Sequence, residues 1–206
     1  MTARRGGEPR LAWTGAVAAA GAAILILTDL VGSALAPGYD PIADSISDLA
    51  AGRLSWIQDF GLVAFAIGLA ALAAGLARTG EGRLWTTGVV LLALLAADVA
   101  VIAIHDEYGD GEPGGLVLHL ELVYLLGGLF AAATLCLAPG LWRERRAWGA
   151  FDAAIAGLWI VLAPIFFFVP TPYDGAYERG IALLVLAWTF GMAWRLGRRR
   201  RRVALT

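Results

Sequence analysis

The chain has 206 residues, of which 59% are hydrophobic and 16% are charged. A water-soluble domain carries about 45–50% apolar and about 25% charged residues, so this composition excludes an ordinary soluble protein and indicates an integral membrane protein. The formal net charge is only −1, but all sixteen basic residues are arginines and they cluster in particular connections between apolar stretches.

Six stretches of the chain are apolar and long enough to cross a bilayer, which takes about 20 residues. Each is apolar around its whole circumference, unlike an amphipathic helix of a soluble protein. The sequence therefore predicts an all-α integral membrane protein with a single six-helix transmembrane domain over residues 1–206. The predicted spans are residues 11–31, 56–77, 84–104, 116–137, 149–169 and 180–196.

The connections between these spans alternate in charge. Arginines gather at the N-terminus, in the 78–83 turn, in the 138–148 loop and in the C-terminal run, whereas the other three loops are acidic. Because loops rich in arginine stay on the cytoplasmic side, both termini are predicted to be cytoplasmic and the acidic loops to lie outside. The bias toward Ala, Gly, Leu and Arg is typical of GC-rich bacterial genes, so we expect a bacterial cytoplasmic membrane.

One alternative concerns the first apolar stretch. Arg4 and Arg5, the apolar run and Ala34-Leu35-Ala36 resemble a signal peptide with its cleavage site. The run is longer than the usual core of about 7–15 residues, and Asp29 lies inside it. We therefore predict six spans, and cleavage that leaves five remains the alternative.

The first acidic loop predicts a short helix at about 41–51 that lies on the outer membrane surface. Asp40 can cap it, Pro41 suits its first position, and Gly52 suits its end. An ordinary solvated loop is the alternative. The helical spacing places its apolar residues on one face and its polar residues on the other, namely Ile42, Ile46 and Leu49 against Asp44, Ser47 and Asp48.

Most ionisable residues within the predicted spans lie in their outer halves, with Asp152 as an exception at a cytoplasmic end. A charge inside a bilayer costs at least a few kcal/mol unless it faces protein or a water-filled cavity. We therefore expect one shared polar cavity that opens to the outside and is covered by the 40–52 segment. The residues concerned are Asp29, Asp59, Asp98, His105, His119, Glu121 and Arg179.

Several chemistries could use such a cavity. Arg179 could bind a lipid phosphate or carboxylate, or alternatively pair with Asp59 or Glu121 and hold helices together. The predicted ligand-binding residues are Asp59, Asp98, His119, Glu121 and Arg179 from the spans, and Asp44 and Asp48 from the covering segment.

Acid–base catalysis is a second interpretation, with His119, Glu121 and Asp98 as candidates, since burial moves carboxyl groups toward neutral pKa values. A metal site is a third interpretation, with His105, His119 and Asp106 as candidate ligands, together with Asp98 or Glu121. The sequence has no short-spaced histidine pair and no ordered catalytic motif, and it identifies no cofactor. Pro164 is predicted to kink the fifth span.

Two segments resemble the signature of a bacterial six-helix membrane family, domain of unknown function 998. They are Pro37-Gly38-Tyr39-Asp40-Pro41-Ile42 and Ser45 through Gly52. The resemblance also implies an acidic motif after the third helix, a Gly-x-x-x-His start of the fourth and a Gly-x-x-x-Arg start of the sixth. These correspond to His105-Asp106, Gly115 through His119 and Gly175 through Arg179. Relatives have Phe-Pro where this chain has Ile104-His105, so a ligand role is better placed on His119.

Three functions remain open from the sequence. The first is binding of a lipid or another apolar molecule, the second is an intramembrane enzyme for a lipid or isoprenoid substrate, and the third is a small transporter. The cytoplasmic half offers only Asp152 as a polar group, which ranks transport last. Membrane lipids are the expected partners and nucleic acid is not, while an oligomer is left open.

Overall fold

The computed structural model describes residues 8–105 and 118–203. Six helices in this part of the chain are long and apolar enough to cross a membrane, so the prediction of an all-helical six-span protein is confirmed. Two short 3₁₀ helices, Ala163–Phe168 and Thr171–Tyr173, join the fifth span to the sixth. The α-helices are α1 (Glu8–Leu35), α2 (Ile46–Ala51), α3 (Ser55–Leu76), α4 (Arg83–Ile102), α5 (His119–Glu144), α6 (Arg146–Leu162) and α7 (Asp174–Val203).

The six long helices run in alternating directions. The ends of α1, α4 and α6 and the starts of α3, α5 and α7 lie at one end of the bundle, which we name the acidic end. The starts of α1, α4 and α6 and the ends of α3, α5 and α7 lie at the other end, which we name the basic end. Arginine placement predicts that the acidic end faces outward.

The long helices form a ring in which each packs mainly against two neighbours, in the order α1, α3, α4, α5, α6, α7 and back to α1. Small residues bring α1 and α3 together. A Cβ on Gly21 would collide with the Ala64 carbonyl oxygen, and one on Gly68 would lie 3.2 Å from the Ala18 carbonyl oxygen. Close contact through glycine and alanine is typical of membrane helices, which gain little from the hydrophobic effect in lipid.

The half of the ring near the basic end is densely packed. At the boundary of this half, in the middle of the bundle, the ring of Phe130 meets Trp159 and Trp188 edge to face, with centroids 5.0 and 5.6 Å apart. Such aromatic pairs add about 0.5–1.5 kcal/mol beyond the area that they bury. The large side chains that are fully buried in this half include Leu72, Leu76, Leu137, Leu141, Met192 and Leu196.

Arg195 connects α7 to α4, to α5 and to the turn between α3 and α4 at the basic end. It is almost fully buried, forms an ion pair with Glu144 and donates to the Thr79 hydroxyl at 3.3 Å. Its guanidinium also lies 5.4 Å from the centre of the Trp85 ring. A buried arginine persists only where its charge and donors are satisfied, and these contacts provide that.

The predicted kink at Pro164 is wrong. Helix α6 ends at Leu162, and Pro164 lies in the first turn of the following 3₁₀ helix, Ala163–Phe168. Proline lacks the backbone N–H and its ring clashes with the carbonyl one turn earlier, so it fits a first turn better than an α-helix interior. The fifth span therefore changes from an α-helix to a 3₁₀ helix at Ala163.

Candidate functional site

A cavity of about 860 Å³ lies inside the ring in the half near the acidic end. Ligand pockets in proteins commonly measure about 300–1,000 Å³. All six long helices and α2 contribute to its lining, which is mostly apolar. The polar and charged lining residues are Asp29, Ser47, Gln58, Asp59, His105, His119, Glu178 and Arg179.

The cavity reaches about halfway through the membrane-spanning part of the bundle. Its lining extends along α3 from Gln58 to Leu69 and along α5 from His119 to Ala131. At 1.5 Å per helical residue these segments are about 17–18 Å long. The hydrocarbon core of a bilayer is about 30 Å thick, so the cavity matches roughly one leaflet.

Residues 36–52, which we name the cap segment, cover the cavity at the acidic end. Ile46, Ser47 and Ala50 contribute to the cavity lining. The chain turns at Gly38, whose φ of +77° favours glycine. The short α2 lies within this segment, as the sequence predicts, and Gly52 is its C-cap.

The predicted start of that short helix is wrong. Residues 41–44 form a turn in which the Ile42 N–H donates to the Asp40 carboxylate at 2.9 Å. Helix α2 begins only at Ile46, because Ser45 and Asp48 form a reciprocal capping box. Such a box satisfies two otherwise unpaired N–H groups and fixes where a helix starts, which Pro41 alone does not do.

Arg179 fastens the cap segment to α1 and α7. Its guanidinium donates to both carboxylate oxygens of Asp29, at 2.9 and 3.1 Å, and to the Tyr39 hydroxyl at 2.6 Å. It also donates to the carbonyl oxygens of Pro41 and Asp44, at 2.9 and 3.0 Å. The expected partners Asp59 and Glu121 are therefore corrected to Asp29, because α1 and not α3 or α5 lies beside α7 at this level.

Tyr39 connects Arg179 to the backbone of the cap segment. Its hydroxyl accepts from Arg179 and donates to the Ser45 carbonyl oxygen at 2.6 Å. Burial raises the pKa of the Tyr39 phenol above its ordinary value of 10, and the nearby Arg179 guanidinium opposes that rise only in part. The hydroxyl is thus protonated at neutral pH and able to donate.

The first turn of α7 provides a close-fitting seat for the cap segment. The N–H groups of Gly175 and Ala176 donate to the carbonyl oxygens of Ala43 and Ile42, at 3.3 and 2.9 Å. These are N–H groups at a helix start, which have no partner within the helix. Gly175 permits the approach, since a Cβ there would collide with the Asp44 carbonyl oxygen.

Further contacts hold α2 over the cavity. The Ile46 N–H donates to the Glu178 carboxylate at 2.5 Å. Leu49 is buried against Gly32, where a Cβ would lie 2.9 Å from the leucine side chain. On the opposite side, the Ser47 hydroxyl lies 2.9 Å from Nε2 of His119. Among the described residues, the cap segment is thus held to α1 and α7 by several contacts and to α5 by the Ser47–His119 hydrogen bond.

The predicted ligand-binding residues fall into two groups. Asp59, His119 and Arg179 line the cavity. Asp44 and Asp48 do not line it and instead accept hydrogen bonds from backbone groups of the cap segment, at 2.7 and 2.8 Å. Their position therefore favours a structural role in shaping the segment.

Asp98 and Glu121 also lie outside the cavity lining. Asp98 is buried, and neither of its carboxylate oxygens has a hydrogen-bond partner among the described residues. Glu121 is exposed. The expected acid–base set of His119, Glu121 and Asp98 is therefore not gathered around the cavity, and only His119 faces it.

The candidate metal ligands are only partly described. His105 lines the cavity and is exposed at its edge, and one of its ring nitrogens lies 3.0 Å from the Val101 carbonyl oxygen. Asp106 lies outside the described residues. Within those residues, no group of three or more His, Cys, Asp or Glu side chains is placed to hold a metal ion.

Asp152 lies deeper than the sequence suggests. It is fully buried near the basic end and accepts a hydrogen bond from Nε1 of Trp188 at 2.7 Å. This contact joins α6 to α7 in the densely packed half, far from the cavity along the helix.

Gln58 is the cavity residue that sequence reasoning missed. It is 0% exposed, lines the cavity, and neither amide atom has a hydrogen-bond partner among the described residues. The cost of charge in lipid singles out ionisable side chains, and the glutamine amide carries no charge. A signal was present, since Gln58 is the only amide side chain in the whole sequence.

The fold and the cavity define a class: a six-span helical membrane protein with a capped interhelical cavity at one end. The chain belongs to the family described as "Protein of unknown function (DUF998)", whose profile matches residues 9–195. The resemblance seen in the cap segment and in Gly175 through Arg179 is thereby confirmed. Comparisons with curated proteins and with solved structures gave no match.

Proposed function

We propose that this protein binds one lipid or other apolar molecule in the cavity beneath the cap segment. The observation that carries the proposal is the cavity itself, about 860 Å³ with mostly apolar walls. Protein interiors are packed about as densely as organic crystals, and voids larger than a water molecule are few. A hollow of this size in an otherwise well-packed bundle favours an occupant.

The walls contain residues that leave this space open. Gly127 and Gly128 on α5 line the cavity, and a Cβ added at either would meet nothing within 4 Å. Larger side chains could fill the space without a clash, yet the sequence has glycine at both positions. This contrasts with the glycines between α1 and α3, where neighbouring atoms leave no room.

Placement in the membrane supports a lipid-like occupant. The cavity spans roughly one leaflet in depth, and the arginine pattern predicts that this is the outer leaflet of a bacterial cytoplasmic membrane. Lipid tails are the most abundant apolar molecules at that depth. The densely packed half below the cavity does not favour a continuous transport path, and the scattered positions of Asp98 and Glu121 do not favour an enzyme.

The test fills the cavity and measures retained lipid. Gly128→Leu places a side chain in the cavity, whereas Gly157→Leu is a matched control because its added Cβ also meets open space but Gly157 does not line the cavity. Each protein is purified in mild detergent and its bound lipid is counted by native mass spectrometry. Wild type and Gly157→Leu should retain about one molecule that Gly128→Leu lacks. Equal retention by all three proteins would reject the proposal.

A further inference from the structure

Two buried polar groups in the cavity have hydrogen-bonding capacity that no described residue uses. Gln58 is 0% exposed, and neither its amide nitrogen nor its amide oxygen has a partner among the described residues. His119 is 8% exposed, and its Nδ1 also lacks a partner there, while Nε2 contacts Ser47. Buried polar groups are nearly always paired, so each such exception calls for a partner.

These groups lie at the same end of the cavity. Gln58 is in the first turn of α3 and His119 begins α5, and both helices start at the acidic end beneath the cap segment. Deeper lining residues such as Leu69 and Ala131 are apolar. The cavity therefore has a polar end near the cap segment and an apolar end near the middle of the bundle.

The contacts of Arg179 do not favour an anionic head group. Arg179 is the one arginine among the described lining residues, and Asp29, Tyr39 and backbone carbonyl oxygens already accept its donors. Binding an anion there would require breaking the ion pair with Asp29. A Gln amide both donates and accepts, which suits an uncharged hydroxyl, ester or amide group.

We infer that the ligand is a single-chain lipid with an uncharged, hydrogen-bonding head group that contacts Gln58 and His119, with its tail directed toward Leu69 and Ala131. This inference rests on the proposed function. The cavity is about as deep as one leaflet and mostly apolar in its deeper part, which suits one acyl or isoprenoid chain.

The experiment compares four probes with the same chain length in detergent, each titrated and measured by native mass spectrometry. The probes are 1-monooleoylglycerol with an uncharged head, oleate, oleylamine and 1-octadecene without a head group. Wild type should bind 1-monooleoylglycerol at least fivefold more tightly than the other three, since one hydrogen bond contributes about 1 kcal/mol and tenfold corresponds to about 1.4 kcal/mol.

The key variant is Gln58→Leu, which keeps the side chain's approximate size and removes its polar atoms. It should lose about fivefold for 1-monooleoylglycerol and nothing for 1-octadecene. Thr134→Val is the matched control, because Thr134 is equally buried but lies outside the cavity lining and bonds only to its own helix. This control should behave as wild type with every probe.

The outcomes separate the two proposals. Equal binding of 1-monooleoylglycerol and 1-octadecene by wild type, or tighter binding of oleate or oleylamine, rejects the uncharged head group and leaves the cavity function standing. If wild type binds every probe no better than the cavity-filling Gly128→Leu variant does, the proposed function itself is rejected.

Discussion

Gly175→Ala should release the cap segment from its seat on α7. The added Cβ would collide with the Asp44 carbonyl oxygen and lie 2.8 Å from the Pro41 carbonyl oxygen, whereas an ordinary contact begins at 3.4 Å. Gly175 belongs to α7, which is anchored along its length by the ring, so the cap segment is the part that must move. It has to retreat by more than half an ångström.

The magnitude follows from the hydrogen bonds that this movement stretches. Four bonds cross the seat: Gly175 and Ala176 N–H to Ala43 and Ile42 at 3.3 and 2.9 Å, and Arg179 to the Pro41 and Asp44 carbonyls at 2.9 and 3.0 Å. When the cap segment retreats by more than half an ångström, these donor–acceptor distances approach or exceed about 3.5 Å, the limit for a hydrogen bond. At about 0.5–1.5 kcal/mol each, the loss of all four weakens the seat by about 2–6 kcal/mol.

Amide hydrogen exchange measures this local free energy directly. The amides of residues 44–51 should exchange about 30-fold faster or more in Gly175→Ala, since tenfold corresponds to about 1.4 kcal/mol. Core amides of α3 and α5 should be unchanged. Gly180→Ala is the matched control on the same helix, because its Cβ would meet nothing within 4 Å. Equal exchange in the two variants would show that the close approach at Gly175 does not hold the cap segment.

Four further predictions follow from the same contacts. Arg179→Lys should also speed exchange in the cap segment, because an ammonium cannot reproduce the two-pronged contact with the Asp29 carboxylate; unchanged exchange would refute this. Tyr39 has a raised pKa, so its contribution to the stability of the cap segment should be constant below about pH 10 and be lost as the phenol ionises at higher pH. Tyr39→Phe should remove this pH dependence. Gln58→Leu should raise the melting temperature of the ligand-free protein in detergent by a few degrees, since unpaired buried polar atoms cost about 1–3 kcal/mol, and a lower melting temperature would contradict this. A membrane-impermeant maleimide should label Thr171→Cys but not Arg145→Cys on intact cells. The reverse labelling pattern would show that the basic end faces outward.

Hydropathy was sufficient to predict the number of spans but not their ends. A helix needs about 20 apolar residues to cross a bilayer, and a hydropathy window along the sequence shows directly where such stretches occur. Helix ends depend on local backbone chemistry instead. The fourth predicted span stops at residue 137, yet α5 continues through Pro139 to Glu144. A proline is tolerated inside a membrane helix where neighbouring helices and local adjustments satisfy the freed backbone groups.

The cavity could be anticipated in part, because the cost of charge in lipid gathers polar residues together. Asp59, His119 and Arg179 do line one cavity under the cap segment. The partner of Arg179 could not be predicted, since Asp29 is 150 residues away in sequence and becomes its neighbour only when the ring closes between α1 and α7. Asp98 was expected in the cavity because it is charged, but a buried residue can also lie between helices, and depth alone does not distinguish the two positions.

Two of the arginines of α7, Arg179 and Arg195, explain how one bundle can be densely packed at one end and hollow at the other. Arg195 joins Glu144, Thr79 and Trp85 around the densely packed basic end. Among the described residues, Arg179 makes no such link across the ring and binds α1, its own helix and the cap segment. The helices therefore converge on a packed core at the basic end. At the acidic end the cap segment covers the space between the helices, which stays open as the cavity.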